Sequence, residues 1–311
     1  MSFTAGRIVY HAYHRPLAWM QHVRNLGGIG SYVSLRRGQR AMQRAAARLA
    51  PQPTHGERLA VHFLTGRQFW YQTLFCAWSL ARESGRNLVP HLYDDGSLTA
   101  THVRRIRRVF PSTVVYAKKD CQQRLEDHLP RHAFPHLHDR WHNYPNIRKL
   151  VDPHLAGDGV QLVLDSDMLF FSPPTELLDW ADQNSSRPLV MTDIEESYGY
   201  PRDVLASLCG ASPVAAVNVG ITGLHGDNVD FETLEAWIDE LHRRFGYHYF
   251  LEQALIALLI TKLSPMILDA GRYRVLPDPG ECEHPTAALH HYVAESKIGY
   301  FRHGWRRVST I

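Results

Sequence analysis

At 311 residues, 44% hydrophobic and 21% charged, the chain has room for one large α/β domain with an extension, or for two domains. Its formal charge of +3 is no nucleic-acid signature, and the arginine clusters (Arg36, Arg37, Arg40, Arg44 and Arg48; Arg104, Arg105, Arg107 and Arg108) read as solvated faces. Four scattered cysteines without CxxC spacing argue for a reduced, cytoplasmic protein, no run nears the roughly 18 apolar residues of a membrane span, and MSFTAGRIVYHAYHRP lacks a signal-peptide core.

Residues 1–57 read as a helical extension. Gly27, Gly28 and Gly30 break the chain, and Ser31 to Leu49 predicts a helix capped by Ser31 or Ser34. Val33, Met42, Ala45, Ala46 and Leu49 are its apolar positions, and the remainder is a broad arginine-rich face. Such a helix packs on the main domain, or lies on an anionic membrane surface through residues 31–49, peripheral to the inner face of the membrane. Pro51, Pro53 and Gly56 end it.

Strands and helices then alternate, which argues for a mostly parallel sheet flanked by helices. The strand Leu59 to Leu64 leads through Thr65-Gly66-Arg67-Gln68 into a helix, Phe69 to Arg82. The strand Asn87 to Tyr93 follows, with Pro90 marking it as irregular or near an edge, and then Asp94-Asp95-Gly96-Ser97. A helix over Ala100 to Val109 and a strand over Thr113 to Ala117 come next. No GxGxxG or Walker loop is present, so a nucleotide would be held by other means. Cys121 to Tyr144, with five histidines at spacings foreign to zinc sites, reads as a surface helix and loop, and Pro145 to Leu155 as a helix.

The next stretch, VQLVLDSDMLFFS at residues 160–172, is the most informative in the chain. Val160 to Leu164 reads as a strand buried on both faces. Asp165 and Asp167 follow at its carboxyl end, where ligands bind in open α/β sheets. In an extended chain residues two apart point the same way, so the two carboxylates converge and repel until a cation arrives. Hard divalent ions such as Mn²⁺ or Mg²⁺ suit them.

Beyond it the pattern predicts a short helix from Ser172 to Trp180 and a strand Leu189 to Thr192 ending in Asp193. An acidic loop, Ile194 to Pro201, leads to a strand Ala215 to Ile221 carrying Asn218 and Gly220. Two helices follow, Phe231 to Phe245 and Phe250 to Leu263, the second with Glu252 and Gln253 in its first turn. A short strand over Arg274 to Leu276 precedes a tail holding His290, His291 and Lys297.

Taken together these motifs resemble those of glycosyltransferases with the GT-A fold, nearest to the retaining, family 8-like enzymes. VLDSDMLF looks like their D-x-D motif, and His291-Tyr-Val-Ala294-Glu-Ser-Lys297 keeps the spacing of their H-x-x-G-x-x-K, with alanine at the glycine position and no Pro-Trp after it. The choice of His291 over His290 rests on that spacing. The resemblance covers roughly residues 58–303. It implies a Rossmann-like sandwich over residues 58–311, with a nucleotide-binding half (about 58–170) and an acceptor or sugar half (about 171–311). It also implies Mn²⁺ or Mg²⁺ on Asp165, Asp167 and His291. Lys297 would meet the phosphates, Arg148 and Ser166 the donor, Thr65 and Gly66 the base, and Asp94 or Asp95 the nucleoside side of a UDP-sugar. Asp193, Asn218, Glu252 and Gln253 would surround the transferred sugar, and the acceptor would be a glycan, a lipid-linked molecule or a protein. Two other readings are a sugar-phosphate nucleotidyltransferase, whose glycine-rich signature LTGRQFW does not match, and an inactive carbohydrate-binding relative.

Overall fold

A computed structural model describes residues 28–183 and 186–309. The extension before residue 28 lies outside the described residues. Its helix, α1, runs over Ile29–Ala46 and starts at Gly28, with no side-chain cap, so neither Ser31 nor Ser34 caps it. Both serines fall inside the first turns because Gly28, at φ 98, makes the turn into the helix before them.

Chain order follows the expected alternation. β1 (Arg58–Thr65), α2 (Trp70–Ser84), β2 (Asn87–Asp94), α3 (Ala100–Val109) and β3 (Val114–Tyr116) come first. Three helices succeed them: α4 (Lys118–His128), α5 (Pro135–Asn143) and α6 (Ile147–Ala156). The stretch expected to be a surface helix and loop is therefore α4 and α5, and it is not wholly on the surface: Leu125, Leu137, His138 and Trp141 are buried.

β4 (Val160–Leu164), β5 (Met168–Phe170), α7 (Thr175–Asp182), β6 (Leu189–Thr192) and α8 (Arg202–Cys209) follow. After them come β7 (Val217–His225), α9 (Phe231–Phe245), α10 (Leu251–Ile260), β8 (Met266–Ile267) and β9 (Tyr273–Val275). The chain closes with α11 (Pro279–Glu283), β10 (Leu289–His291) and a run of short helical turns over residues 294–309. α9 shows how locally such an element is set. Asp230 Oδ1 accepts the Glu232 and Thr233 amides, and Leu234, Ile238 and Leu241 form its buried stripe.

Seven strands make the main sheet in the order β3-β2-β1-β4-β7-β6-β8. β1 to β4 are parallel, β7 is antiparallel to both β4 and β6, and β8 is parallel to β6. A second sheet has the order β5-β10-β9. Pro90 lies near an edge of the sheet, as expected, in β2 beside the outermost strand β3. Asn87 N–H donates to Glu57 O and Asp95 N–H to Thr65 O, so by alternation Pro90 faces β3, and β3 begins only opposite His91. The proline therefore removes no ladder bond.

Two apolar cores cover the main sheet. One gathers Phe63, Phe75 and Trp180 with Leu35, Met42 and Ala46 of α1, and the other gathers Leu150, Leu234 and Leu255. The α1 helix is thus packed on the domain by its apolar side, and Gly38 lets it approach the Phe301 backbone, where a β-carbon would collide with the carbonyl oxygen.

Candidate active site

The stretch from Val160 to Ser172 holds a second strand, Met168–Phe170, beyond the expected one at Val160–Leu164. Asp165 N–H still donates to Gly220 O (2.8 Å) in the seven-stranded sheet. Two residues later Asp167 O accepts Tyr292 N–H (2.9 Å) from the three-stranded sheet. The Asp165-Ser166-Asp167 corner joins the two sheets, and both flanks are apolar because both strands are buried.

At this corner Asp165, Asp167 and His291 present ligand atoms that all lie within 4.8 Å of one another. His291 Nε2 stands 3.6 Å from Asp165 Oδ2 and 3.4 Å from Asp167 Oδ1. Strand alternation separates the two histidines. His290 points the other way, to Glu281 Oε1 (2.8 Å) and the Tyr292 hydroxyl (3.0 Å).

The surroundings of His291 set its tautomer. Asn218 Nδ2 donates to Asp193 Oδ2 (3.0 Å), which leaves Asn218 Oδ1 as an acceptor for Gly220 N–H (2.9 Å) and for His291 Nδ1 (3.0 Å). With Nδ1 donating to Asn218, Nε2 is the nitrogen left facing the aspartates, where its lone pair would serve a bound metal. Burial alone would lower the His291 pKa, but Asp167 and Asp165 outweigh it and raise it. Asp167 shows the mirror image: burial would raise its pKa, and His291 and Lys297 hold it well below the usual carboxylate range. The carboxylates and imidazole are thus a donor set that fits a hard divalent cation.

Lys297 Nζ lies 3.3 Å from Asp167 Oδ2 on a half-exposed side chain. Ala294, where the motif has glycine, takes a left-handed backbone (φ 44). Gly220 leaves room for the His291 ring.

On the other side of Asp165, Lys149 Nζ bonds Asp165 Oδ1 (2.8 Å) and Glu252 Oε2 (3.2 Å). Burial would lower the Lys149 pKa, but these two carboxylates raise it. Burial pushes Glu252 up to about 7 against the pull of Lys149. Gln253 Nε2 reaches Asp193 Oδ2 at 3.4 Å. Asp165, Asp167, His291, Lys297, Asn218, Asp193, Gln253 and Glu252 are therefore linked in one polar network, with Lys149 inside it.

Four expected residues have other engagements. Arg148, 2% exposed, pairs with Asp152 (2.8 Å), donates to Asp94 O (3.0 Å) and lies over the Trp141 ring (4.6 Å). It is its neighbour Lys149, named by no separate sequence signal, that reaches Asp165. The Asp94 carboxylate accepts the Gly96, Ser97 and Leu98 amides and so holds its own turn. Gly66 lies under the Asp95 carboxylate, with no room for a β-carbon. Buried Thr65 bonds Thr73 (2.7 Å), which bonds Ser166 Oγ (2.8 Å), so a hydroxyl chain ties the aspartate corner to the end of β1.

No family model matches the sequence, and no curated protein does. Solved structures do. Mouse xyloside xylosyltransferase 1 in its apo form superposes with a TM-score of 0.52 at 10% identity, over 76% of this chain and 98% of that one. The apo WbbM bifunctional glycosyltransferase superposes with a TM-score of 0.51 at 12% identity, over 84% of this chain and 51% of that one, so this chain spans about half its length. At these identities the likeness is one of architecture: the chain has the GT-A fold, a mixed central sheet flanked by helices.

Proposed function

We propose that this chain is a metal-dependent glycosyltransferase that moves a sugar from a nucleoside diphosphate sugar, a UDP-sugar foremost, to a glycan, lipid-linked or protein acceptor. One observation carries the reading: Asp165, Asp167 and His291 converge at the corner of a GT-A fold, with Lys297 beside them. The two comparison proteins, a xylosyltransferase and a bifunctional glycosyltransferase, point the same way.

Asp165, Asp167 and His291 would hold Mn²⁺ or Mg²⁺, which when bound supplies Lewis-acid stabilisation to the departing diphosphate. Lys297 adds a point charge on the open side, where its half-exposed side chain can turn to a phosphate oxygen. Ser166 is fixed through Thr73 and keeps the corner rigid. Asp193, Asn218 and Gln253 form a preorganised set of sugar-binding groups.

Retention of configuration is the outcome this geometry favours. An inverting reaction needs a carboxylate base turned to the acceptor hydroxyl. Asp193 is occupied by the amides of Asn218 and Gln253, and Glu252 by Lys149. In a retaining reaction the leaving phosphate takes the acceptor's proton. The four buried free thiols fit a reducing compartment, the cytoplasm.

Calorimetry with UDP in the presence and absence of Mn²⁺, alongside hydrolysis of a panel of UDP-sugars, tests the proposal. UDP binding that needs Mn²⁺ and is lost in Asp167→Ala, with thermal unfolding retained, is the expected result. Absence of Mn²⁺-dependent binding of any nucleotide-sugar overturns it.

A further inference from the structure

We infer that the outward face of α1 docks on an anionic phospholipid bilayer. α1 has two opposite faces. Leu35, Gly38, Met42 and Ala46 point inward and are buried. Arg36, Arg37, Arg40 and Arg44 are exposed on the outward side. Towards the helix N-terminus the exposed side ends in two apolar residues, Ile29 (68% exposed) and Val33 (39%). The steps 29, 33, 37, 40 and 44 follow the helical repeat, so these side chains form one stripe. Over 18 residues that stripe is about 27 Å long.

The helix cannot roll to hide this face. The Gly38 backbone is pressed against the Phe301 carbonyl, and Arg302 Nε donates to Ser34 Oγ (2.9 Å). Nor does the chain neutralise it nearby. The first acidic residue in the sequence is Glu57, after eight arginines. Arg37, Arg40 and Arg44 form no ion pair among the described residues. Two adjoining hollows, of about 550 and 450 Å³, meet at Val33 and Arg37, and Phe301 and Arg302 wall the larger one.

Arginine recognises phosphate, which a lipid headgroup and a soluble anion both offer. The apolar tip selects between them. Ile29 and Val33 give nothing to a soluble phosphate, whereas a helix lying in the interface buries such residues at the acyl boundary while its cations meet headgroups. The occupant is therefore a bilayer surface, and residues 294–309, which carry Lys297 to the aspartates, would lie behind the docked helix. The proposal does not rest on glycosyl transfer, since it uses no residue of the metal-ligating set.

Flotation of the full chain with vesicles tests it. Binding to phosphatidylcholine vesicles containing phosphatidylglycerol, absent for pure phosphatidylcholine and weakened by salt, is expected. Each arginine near an anionic surface contributes about fivefold, so R37Q/R40Q/R44Q should lose about 100-fold. At unchanged charge, I29S/V33S should lose about tenfold or more. All five positions are on the exposed stripe, and circular dichroism checks that each variant is folded. Equal binding to neutral vesicles overturns the proposal. So does full retention by either variant, or inorganic phosphate abolishing binding at the same ionic strength while I29S/V33S has no effect, which would mark a soluble-anion site.

Discussion

The imidazole of His291 lies so close to Gly220 that a β-carbon there would stand 2.5 Å from His291 Nδ1 and 2.9 Å from Asn218 Oδ1. Gly220→Ala should therefore displace the histidine and break its bond to Asn218. Loss of such an orienting partner typically costs about 10–100-fold in metal affinity. Manganese binding followed by electron paramagnetic resonance should show that loss, with the far-ultraviolet circular dichroism unchanged. Wild-type affinity in the variant would remove His291 from the ligand set.

Lys149 neutralises two carboxylates at once, Asp165 and Glu252. Lys149→Met keeps the bulk and removes the charge. Breaking a buried pair in this way costs about 3–5 kcal/mol. Urea denaturation without metal should show that loss. Saturating Mn²⁺ should restore part of it, because the ion takes over the neutralisation of Asp165. A loss that Mn²⁺ does not lessen would mean that Lys149 serves Glu252 alone.

His154, on α6, is half-buried with Nδ1 2.6 Å from Leu150 O, and desolvation of its ring lowers its pKa to about 4. The unfolded chain, with a pKa near 6.5, binds the proton first as pH falls. Stability from this group is full above about pH 6.5 and declines as pH drops towards 4. Between pH 7 and pH 5 the loss is about 2 kcal/mol. His62, lowered to about 3 by burial first and His91 second, acts in the same direction. Urea midpoints at the two pH values should reveal the difference, and His154→Asn should shrink it whatever it does to stability at pH 7.

Ala294 holds φ at 44 in the turn that brings Lys297 to Asp167. A left-handed alanine is strained by roughly 1–2 kcal/mol, and glycine returns about 0.5–1 kcal/mol of that through chain entropy. Ala294→Gly should raise stability by up to about 1 kcal/mol. A fall in the thermal midpoint would show that the alanine methyl makes a contact worth more than the strain.

Much of this site was legible because its signals are local. β4 and the aspartates declare themselves through an apolar run that ends in paired carboxylates. α9 is set by its cap and its stripe, and its bounds, Phe231–Phe245, agree with the periodicity. What was not legible depends on partners far along the chain. The run from Val160 to Ser172 is apolar on both sides of its aspartates, so nothing in it reveals that Met168 pairs with His291 in a different sheet. Arg148 and Lys149 are adjacent cations on one helix. Which of them turns to Asp165 follows from Asp152 and Trp141 capturing the arginine, a fact of packing rather than of spacing. The absence of a capping side chain on α1 is similar: serine has the right chemistry, and the chain enters the helix before reaching it.

The corner at Asp165-Ser166-Asp167 has a mechanical meaning as well. Asp165 is bonded through its backbone to one sheet and Asp167 to the other, while His291 belongs to the second. A cation gripped by all three side chains acts as a rivet through a joint between two plates. Ion occupancy would stiffen the angle between the sheets, so the segment after His291 that carries Lys297, and α1 clamped to its far end, would be steadied by an event at the aspartates. Slower amide exchange in residues 294–309 and in α1 on adding Mn²⁺ is the signature of that joint locking.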